Sequence, residues 1–437
     1  MNQATELASD LLAYIDNSPS PWHAVSSTVE ILTHAGFESL SETDCWDDLS
    51  NGKYFVVRDQ SSIVAFILGK QQPDKSGFNI IGAHSDSPGL RIKPNPLIKT
   101  NEWLRLGVEV YGGPILATFS DRDLSLAGRV SIELDTEAKK IENRLVKFDK
   151  PIIRIPNLPI HLNRDVNKEG LKFQPQLELP PLVALANSTQ SDDQQFLHQL
   201  IAKALEVSED KILGWELAVY DTQQGQLWGT ASEFLTNSQL DNLASCHAAL
   251  SALLENNDKE IESTQVIAFF DHEEIGSNSQ KGADGCFLGD ILKRISLSQK
   301  LDEQQHFQAL AKSTLLSADM SHAWHPAFPQ KFDQNHRPIV NAGPVLKINN
   351  NQRYTTQAPT EGLFVKLCKE NQIPFQKFVN RSDLSCGSTI GPLTASQLGI
   401  SSFDVGAPMF AMHSIRESAG VKDHYYMMEL MAAFLRF

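Results

Sequence analysis

The sequence has 437 residues, of which 41% are hydrophobic and 21% are charged, and its formal net charge is -15. This length is enough for two or three domains with a sizeable core. The acidic excess repels polyanions, so we expect neither nucleic acid nor an anionic membrane as a partner. The five cysteines are scattered without a Cys-x-x-Cys pair, which argues against a disulfide framework and a thiolate zinc site.

The amino-terminal segment is predicted to form an amphipathic helix that ends at the turn Asn17-Ser18-Pro19-Ser20-Pro21. It carries acidic residues early and lacks the basic stretch and apolar run of a signal peptide. No stretch approaches the roughly 18 apolar residues that a membrane-spanning helix requires. We therefore expect a soluble, cytoplasmic protein.

Short apolar runs alternate with helical patterns in two separate parts of the chain. The predicted strands are Tyr54–Asp59, Ser62–Leu68, Phe78–Ala83, Gln265–Phe270, Thr314–Ser317 and Ile400–Val405. The predicted helices between them are Asn242–Glu255, Leu288–Leu297 and Thr360–Asn371. Apolar runs this short are typical of strands buried on both faces. The alternation predicts an α/β domain with a mostly parallel central sheet.

The segment between about residues 91 and 230 has a different character. It contains short β-rich pieces, the turn Gly112-Gly113-Pro114 and a proline-rich stretch at Gln174–Leu182. We interpret residues 91–230 as a mostly β domain inserted into the α/β domain. The two parts of the α/β domain are then residues 1–90 and 231–437.

A histidine and an aspartate follow the first strongly apolar strand. The sequence Ile80-Ile81-Gly82-Ala83 runs into His84-Ser85-Asp86, at the strand end where open α/β sheets place their sites. Residues i and i+2 of a strand point to the same side. The imidazole of His84 can therefore bind a metal ion while Asp86 orients that imidazole. Taken alone, the pattern is more often that of a polar loop after a strand.

The adjacent carboxylates Glu273 and Glu274 are the strongest single signal of a site. They follow an apolar strand, after Asp271 and His272. Two neighbouring carboxylates are costly to desolvate unless a cation offsets them. In this hypothesis Glu274 ligates a metal ion, and Glu273 takes the proton of an activated water. The alternative is a solvated charged turn. Because position 276 is glycine, the segment is not a His-Glu-x-x-His motif.

Three further residues complete a set of metal ligands. Asp319 and His413 each follow a predicted strand, and Asp241 opens a predicted helix. Asp241 has the alternative role of a helix N-cap, and its two oxygens are also suited to bridging two cations. Two divalent ions need one bridging carboxylate and a histidine with a carboxylate on each ion. Nitrogen and oxygen donors without thiolate favour Zn²⁺, with Mn²⁺ or Co²⁺ as alternatives.

Eight segments spread from end to end of the chain resemble the aspartyl aminopeptidase family of dizinc metallopeptidases. They are Ser18–Val25, Gly82–Pro88, Asp121–Val130, Ile160–Arg164, Asp271–Ser277, Ser317–Met320, Asn335–Pro338 and Ala411–Glu417. So many strings in one order are specific to a family. The resemblance implies that one zinc is held by His84 and Glu274 and the other by Asp319 and His413. It further implies that Asp241 bridges the two zinc ions.

The resemblance also implies roles outside the ligand set. Glu273 would be the general base and Asp86 the partner of His84. The inserted segment would be a dimerisation domain, and the chains would assemble as homodimers into a tetrahedral dodecamer. A histidine at the position of His161 reaches the neighbouring subunit's active site in similar proteins, so the dimer would be part of the catalytic unit.

The resemblance implies that the protein hydrolyses the first peptide bond of peptides with a free amino terminus. It also implies a preference for Asp or Glu as the amino-terminal residue. Lys347 and Arg353 match positions that the family places near the substrate, and their alternative is exposed strand and loop cations. His322 and His325 lie beside Asp319 and are assigned no role. Broad or neutral specificity is an alternative, as is a related dizinc deacylase or carboxypeptidase. A non-catalytic scaffold is not expected, because every ligand position is filled.

Overall fold

The computed structural model describes residues 3–47, 49, 52–135, 140–186, 195–257 and 260–437. The helices in this part of the chain are α1 (Gln3–Asp16), α2 (Pro21–His34), α3 (Pro73–Ser76), α4 (Val166–Glu169), α5 (Pro175–Glu178), α6 (Phe196–Leu205), α7 (Leu240–Glu255), α8 (Phe287–Ser298), α9 (Glu303–Lys312), α10 (Ala358–Glu370), α11 (Ile390–Leu398) and α12 (Val421–Leu435). The strands are β1 (Glu38–Ser39), β2 (Lys53–Arg58), β3 (Ser62–Ile67), β4 (Phe78–His84), β5 (Gly89–Thr100), β6 (Trp103–Tyr111), β7 (Leu124–Asp135), β8 (Lys140–Lys147), β9 (Leu182–Leu185), β10 (Ile212–Asp221), β11 (Gln226–Trp228), β12 (Phe234–Asn237), β13 (Thr264–Phe270), β14 (Thr314–Ala318), β15 (Ser321–His322), β16 (Val345–Lys347), β17 (Gln376–Phe378), β18 (Ser401–Gly406), β19 (Pro408–Phe410) and β20 (Glu417–Gly420).

The central sheet is mainly parallel, which confirms the predicted α/β class. Its described strands lie in the order β1-β2-β3-β13-β4-β14-β18-β16-β17. The four strands in the middle, β13, β4, β14 and β18, are all parallel to their neighbours within this group. Parallel strands need crossover connections, which the helices between them provide. The carboxyl ends of these four strands therefore meet at one edge of the sheet.

Both faces of the central sheet are covered, which explains the mostly apolar runs. On β13, Ile267 and Phe269 enter a core shared with α1, α7 and α12, whereas Val266 and Phe270 enter a core shared with α8 and α9. Successive side chains of a strand point to opposite faces, so each face receives alternate residues. A strand buried in this way shows no polar alternation in its sequence.

A second, antiparallel sheet is formed between residues 89 and 221. Its described strands lie in the order β8-β7-β10-β5-β6-β9. It has a separate core, to which α6 contributes Leu197 and Ile201. None of the helices in the described part of the chain is long and apolar enough to cross a lipid bilayer.

A third sheet, with the order β11-β12-β20-β19-β15, was not predicted from the sequence. Its strands have two to four residues and come from distant parts of the chain. Strands this short carry too little periodicity to be recognised. The sheet matters for the site because its strand β20 begins at Glu417, directly behind the segment that carries His413.

Candidate metal centre

The carboxyl edge of the central sheet brings the predicted site residues together. His84 is the last residue of β4, Glu273 and Glu274 form the turn after β13, and Asp319 follows β14. Because β4 pairs in parallel with both β13 and β14, these strand ends are adjacent. Sites of open α/β sheets lie at this edge.

Asp241 lies between the two histidines. Nε2 of His84 is 3.4 Å from Oδ1 of Asp241, and Nε2 of His413 is 3.4 Å from Oδ2 of the same carboxylate. Each histidine also faces a second carboxylate. Nε2 of His84 is 3.7 Å from Oδ1 of Asp319, and Nε2 of His413 is 3.4 Å from Oε2 of Glu274.

The shortest nitrogen-to-oxygen distances favour a different pairing of the ligands from the one that the resemblance implies. The resemblance implied His84 with Glu274 and Asp319 with His413, whereas the structure brings His84 to Asp319 and His413 to Glu274. The end of β4 adjoins the ends of both β13 and β14, and the loop that carries His413 reaches the turn after β13. Asp241 is shared by both groups, as the bridging role requires.

The arrangement suits bound cations. Among the described residues, three groups have ligand atoms within 4.8 Å of one another: His84-Asp241-Asp319, His84-Glu273-Glu274 and Asp241-Glu274-His413. Oδ1 of Asp241 is buried and has no hydrogen-bond partner among the described residues. A buried carboxylate oxygen without a donor is costly unless a cation offsets it. Imidazole and carboxylate donors without thiolate are a set that zinc accepts.

Without a cation, these groups perturb one another strongly. Burial raises the pKa of Glu273 to about 7, with the nearby carboxylates adding to the effect. Burial and the charge of Asp241 raise the pKa of Glu274 well above its usual value. Burial opposes protonation of His84, but its contacts with Asp241, Asp319 and Asp86 outweigh this and raise its pKa. Clustered perturbed groups in a cleft are typical of functional sites.

Asp86 supports both His84 and the glutamate pair. Nδ1 of His84 lies 3.0 Å from the backbone oxygen of Asp86 and 3.5 Å from its carboxylate. The carboxylate accepts the backbone N–H of Glu273 at 3.1 Å and of Glu274 at 3.2 Å, and the hydroxyl of Tyr111 at 2.7 Å. Nδ1 of His84 is thus engaged, which leaves Nε2 facing the ligand cluster. Asp86 holds the turn of the two glutamates through their backbone.

The turn predicted at Gly112-Gly113-Pro114 also reaches the site. Nδ1 of His413 lies 3.0 Å from the backbone oxygen of Gly113, so its Nε2 points to the ligand cluster. Gly112 has a φ of +66°, and a side chain there would meet Glu274. This close approach explains the need for glycine. The second sheet therefore contributes backbone to the metal centre, which the sequence did not reveal.

The predicted substrate residues fall in different places. Lys347 is buried, with 3% of its surface exposed, and its Nζ lies 3.2 Å from Oδ2 of Asp319. The alternative of an exposed strand cation is thus wrong for Lys347. Arg353 is exposed, and none of the ion pairs among the described residues includes it. His161 lies in an exposed loop after the second sheet's β8. His325 packs against Phe328 at 4.9 Å between ring centroids.

Imidazoles and carboxylates clustered in this way at the carboxyl edge of a parallel sheet define a metal-dependent hydrolase. The family model described as "Aminopeptidase I zinc metalloprotease (M18)" matches residues 14–435. The chain belongs to this M18 family of zinc aminopeptidases. It is 47% identical over 431 residues, 98% of each chain, to the "Probable M18 family aminopeptidase 2" of Pseudomonas aeruginosa.

Solved structures agree with this assignment. The fold is similar to a chain of the cryo-EM structure of the Ape4 and Nbr1 complex, with a TM-score of 0.95, 37% identity and coverage of 99% of this chain and 86% of that one. It is also similar to the mApe1 dodecamer of S. cerevisiae, with a TM-score of 0.86, 28% identity and coverage of 99% and 97%. These similarities span almost the whole chain, so both large sheets belong to the shared fold.

Proposed function

We propose that this chain is a dizinc aminopeptidase that hydrolyses the first peptide bond of peptides. The position of Asp241 carries the proposal, because its two oxygens each face a different histidine at 3.4 Å. We assign His84 and Asp319 to one zinc ion and Glu274 and His413 to the other. With a single zinc ion, either Asp319 or Glu274 would lack a cation to offset its buried negative charge.

Bound zinc would supply the Lewis acidity that polarises the scissile carbonyl and lowers the pKa of the attacking water. Glu273 is the general base in this proposal. It takes a proton from the water and passes it to the leaving amine. The carboxylate of Glu273 lies within 4.8 Å of the ligand atoms of His84 and Glu274. The hydrogen bond from its backbone N–H to Asp86 keeps Glu273 oriented toward the cluster.

We further propose a preference for acidic amino-terminal residues, with Lys347 as the residue that binds the substrate carboxylate. An ammonium group has three N–H donors. Lys347 makes one hydrogen bond among the described residues, to Asp319. In this proposal the remaining donors bind the carboxylate of the substrate's side chain beside the metal centre. The alternative is broad or neutral specificity. Only the hypothesis of an acidic preference requires that hydrolysis of Asp and Glu substrates depends on Lys347.

We also propose a homo-oligomer in which the inserted segment of residues 91–230, which carries most of the second sheet, makes the dimer contact. The exposed loop around His161 presents three apolar side chains, Leu158, Ile160 and Leu162, of which Leu162 is 72% exposed. Exposed apolar side chains in one loop are typical of an interface. A dodecamer like that of the S. cerevisiae relative is the proposed assembly. In it, His161 reaches the site of a neighbouring chain.

The test combines metal counting with a substrate panel. Purified protein is treated with a chelator and reloaded with zinc, and metal content per chain is measured beside activity on Asp-, Glu-, Leu- and Ala-nitroanilides. Two zinc ions per chain and hydrolysis that requires them are expected. N-acetylated substrates serve as the control, since an aminopeptidase needs the free amine. Hydrolysis of the acetylated substrates alone, or full activity with one zinc, would contradict the proposal.

A further inference from the structure

Glu417 is a buried carboxylate directly behind two of the ligand residues. It is the first residue of β20, pairs with Asn237 of β12 in the third sheet, and is 1% exposed. Its Oε1 accepts the backbone N–H of His413 at 2.7 Å, and its Oε2 accepts the backbone N–H of Asp241 at 3.0 Å. One side chain therefore joins two segments that are about 170 residues apart in the chain but adjacent at the site.

Both of these backbone positions need an acceptor from outside their own segment. Asp241 has extended backbone, with φ -84° and ψ 102°, before the regular part of α7 begins. Its N–H is therefore among those that a helix leaves without an internal partner. His413 has a φ of +67°, in the left-handed region that residues other than glycine rarely adopt. A hydrogen bond to its N–H stabilises this conformation, which directs the imidazole toward Glu274.

A carboxylate is the side chain that fits this position. Each of its oxygens accepts one N–H, so both donors are satisfied at once. Glutamine has the same shape but only one acceptor, and its amide group would direct N–H toward the second donor. Burial raises the pKa of Glu417 well above its usual value, and the backbone N–H groups of Asp241 and His413 offset part of the cost of burying its carboxylate.

We propose that Glu417 is a positioning residue of the metal centre, which holds the backbones of Asp241 and His413 at the separation that lets both side chains bind the same ion. This inference rests on the proposed two-zinc function. Asp241 has other supports, because the hydroxyl of Ser87 donates to its backbone oxygen at 2.7 Å. The zinc position of Glu274 and His413 should therefore depend on Glu417 more than the position of His84 and Asp319.

Asp423 provides a matched control. It is also a fully buried carboxylate that accepts backbone N–H groups, including that of Gly343 at 2.8 Å, and it lies at the start of α12. Its carboxylate accepts hydrogen bonds from the loop at residues 341–343, which carries none of the proposed zinc ligands. Asp423→Asn therefore makes the same chemical change as Glu417→Gln without altering the support of Asp241 or His413.

The experiment measures zinc affinity by competition with a chromophoric chelator for the natural chain, Glu417→Gln and Asp423→Asn. Glu417→Gln is expected to weaken one of the two zinc positions by about 10–100-fold, as loss of a group that orients a ligand does. Its kcat at limiting zinc should fall and recover as free zinc rises. Asp423→Asn should retain both affinities, even where its melting temperature is lower.

The inference would be overturned if both zinc positions had the same affinity in Glu417→Gln as in the natural chain. If Glu417→Gln does not fold, Glu417→Asp takes its place, since the shorter side chain keeps the charge but cannot span both donors. Failure of both variants to fold in saturating zinc, with Asp423→Asn folded, would show that the residue serves the fold and not the metal. One zinc in the natural chain would instead refute the proposed function, and this role with it.

Discussion

The ammonium group of Lys347 lies 3.2 Å from Oδ2 of Asp319, so a buried cation adjoins a proposed zinc ligand. We predict that Lys347→Met lowers kcat/KM for Asp- and Glu-nitroanilides about 10–100-fold more than for Leu-nitroanilide. This follows from the roughly 1.5–3 kcal/mol of a hydrogen bond to a charged group. Arg353→Met is the control because Arg353 is exposed. It should leave the ratio of kcat/KM between the acidic substrates and Leu-nitroanilide unchanged. Metal content is measured in both variants.

An equal loss for acidic and neutral substrates in Lys347→Met would mean that Lys347 serves the metal site alone. A selective loss in Arg353→Met would place recognition of the acidic side chain at Arg353.

Glu273 and Glu274 are neighbours in the chain with different predicted tasks, which makes them a matched pair. Glu273→Gln is expected to keep two zinc ions and to lose about 10²–10⁴-fold in kcat, the typical contribution of a general base. Glu274→Gln is expected to lose zinc, because it removes a charged ligand beside His413. Metal analysis and steady-state kinetics on the same preparations separate the two. Near-normal turnover of Glu273→Gln would disprove the base assignment.

The predicted role of His161 across the dimer can be tested by mixing two inactive variants. In a mixed dimer of His161→Ala and Glu273→Gln, one site has Glu273 from its own chain and His161 from the other. Random exchange of subunits should then restore about a quarter of the natural activity, because half of the dimers are mixed and each has one complete site. Each variant alone remains inactive. Mixing without recovery, after subunit exchange is verified, would mean that His161 acts within its own chain or has no catalytic role.

A buried histidine pair predicts loss of stability in mild acid. Nδ1 of His247 on α7 lies 3.0 Å from Nε2 of His424 on α12. Burial lowers the pKa of His247 to about 4, and burial together with His247 lowers the pKa of His424. In the unfolded chain both titrate near 6.5, so the unfolded state binds more protons below that pH. The stability that the neutral pair contributes is therefore complete above about pH 6.5 and declines as the pH falls toward about 4.

The measurement is the free energy of unfolding by denaturant between pH 7 and 5 with chelator present, so that zinc release does not contribute. Each buried histidine should add up to about 1.4 kcal/mol per pH unit to the slope of the free energy of unfolding against pH. His247→Gln should reduce this slope, whereas His34→Gln, at an exposed position of α2, should not. An unchanged slope in His247→Gln would assign the acid sensitivity to other groups.

The sequence by itself predicted the α/β class and the members of the candidate ligand cluster. Runs such as Phe78–Ala83 and Gln265–Phe270 are mostly apolar because both faces of these strands are buried, and their polar members Asn79 and Gln265 donate hydrogen bonds to the backbone oxygen of Leu435. The ionisable residues after them stand out against that background. For this reason His84, Glu273, Glu274 and Asp319 could be singled out before their positions in space were known.

Tertiary structure alone decided how these residues combine. The contacts of His84 with Asp319, and of His413 with Glu274, depend on how the strand ends and the loop of His413 pack together, which is not encoded in any local pattern. Glu417 was missed for the same reason, since a lone acid at the first position of a short strand has no distinctive spacing. Local sequence determines which side chains stand at strand ends, because burial acts on each strand separately. The distances between those ends come from the packing of the whole sheet.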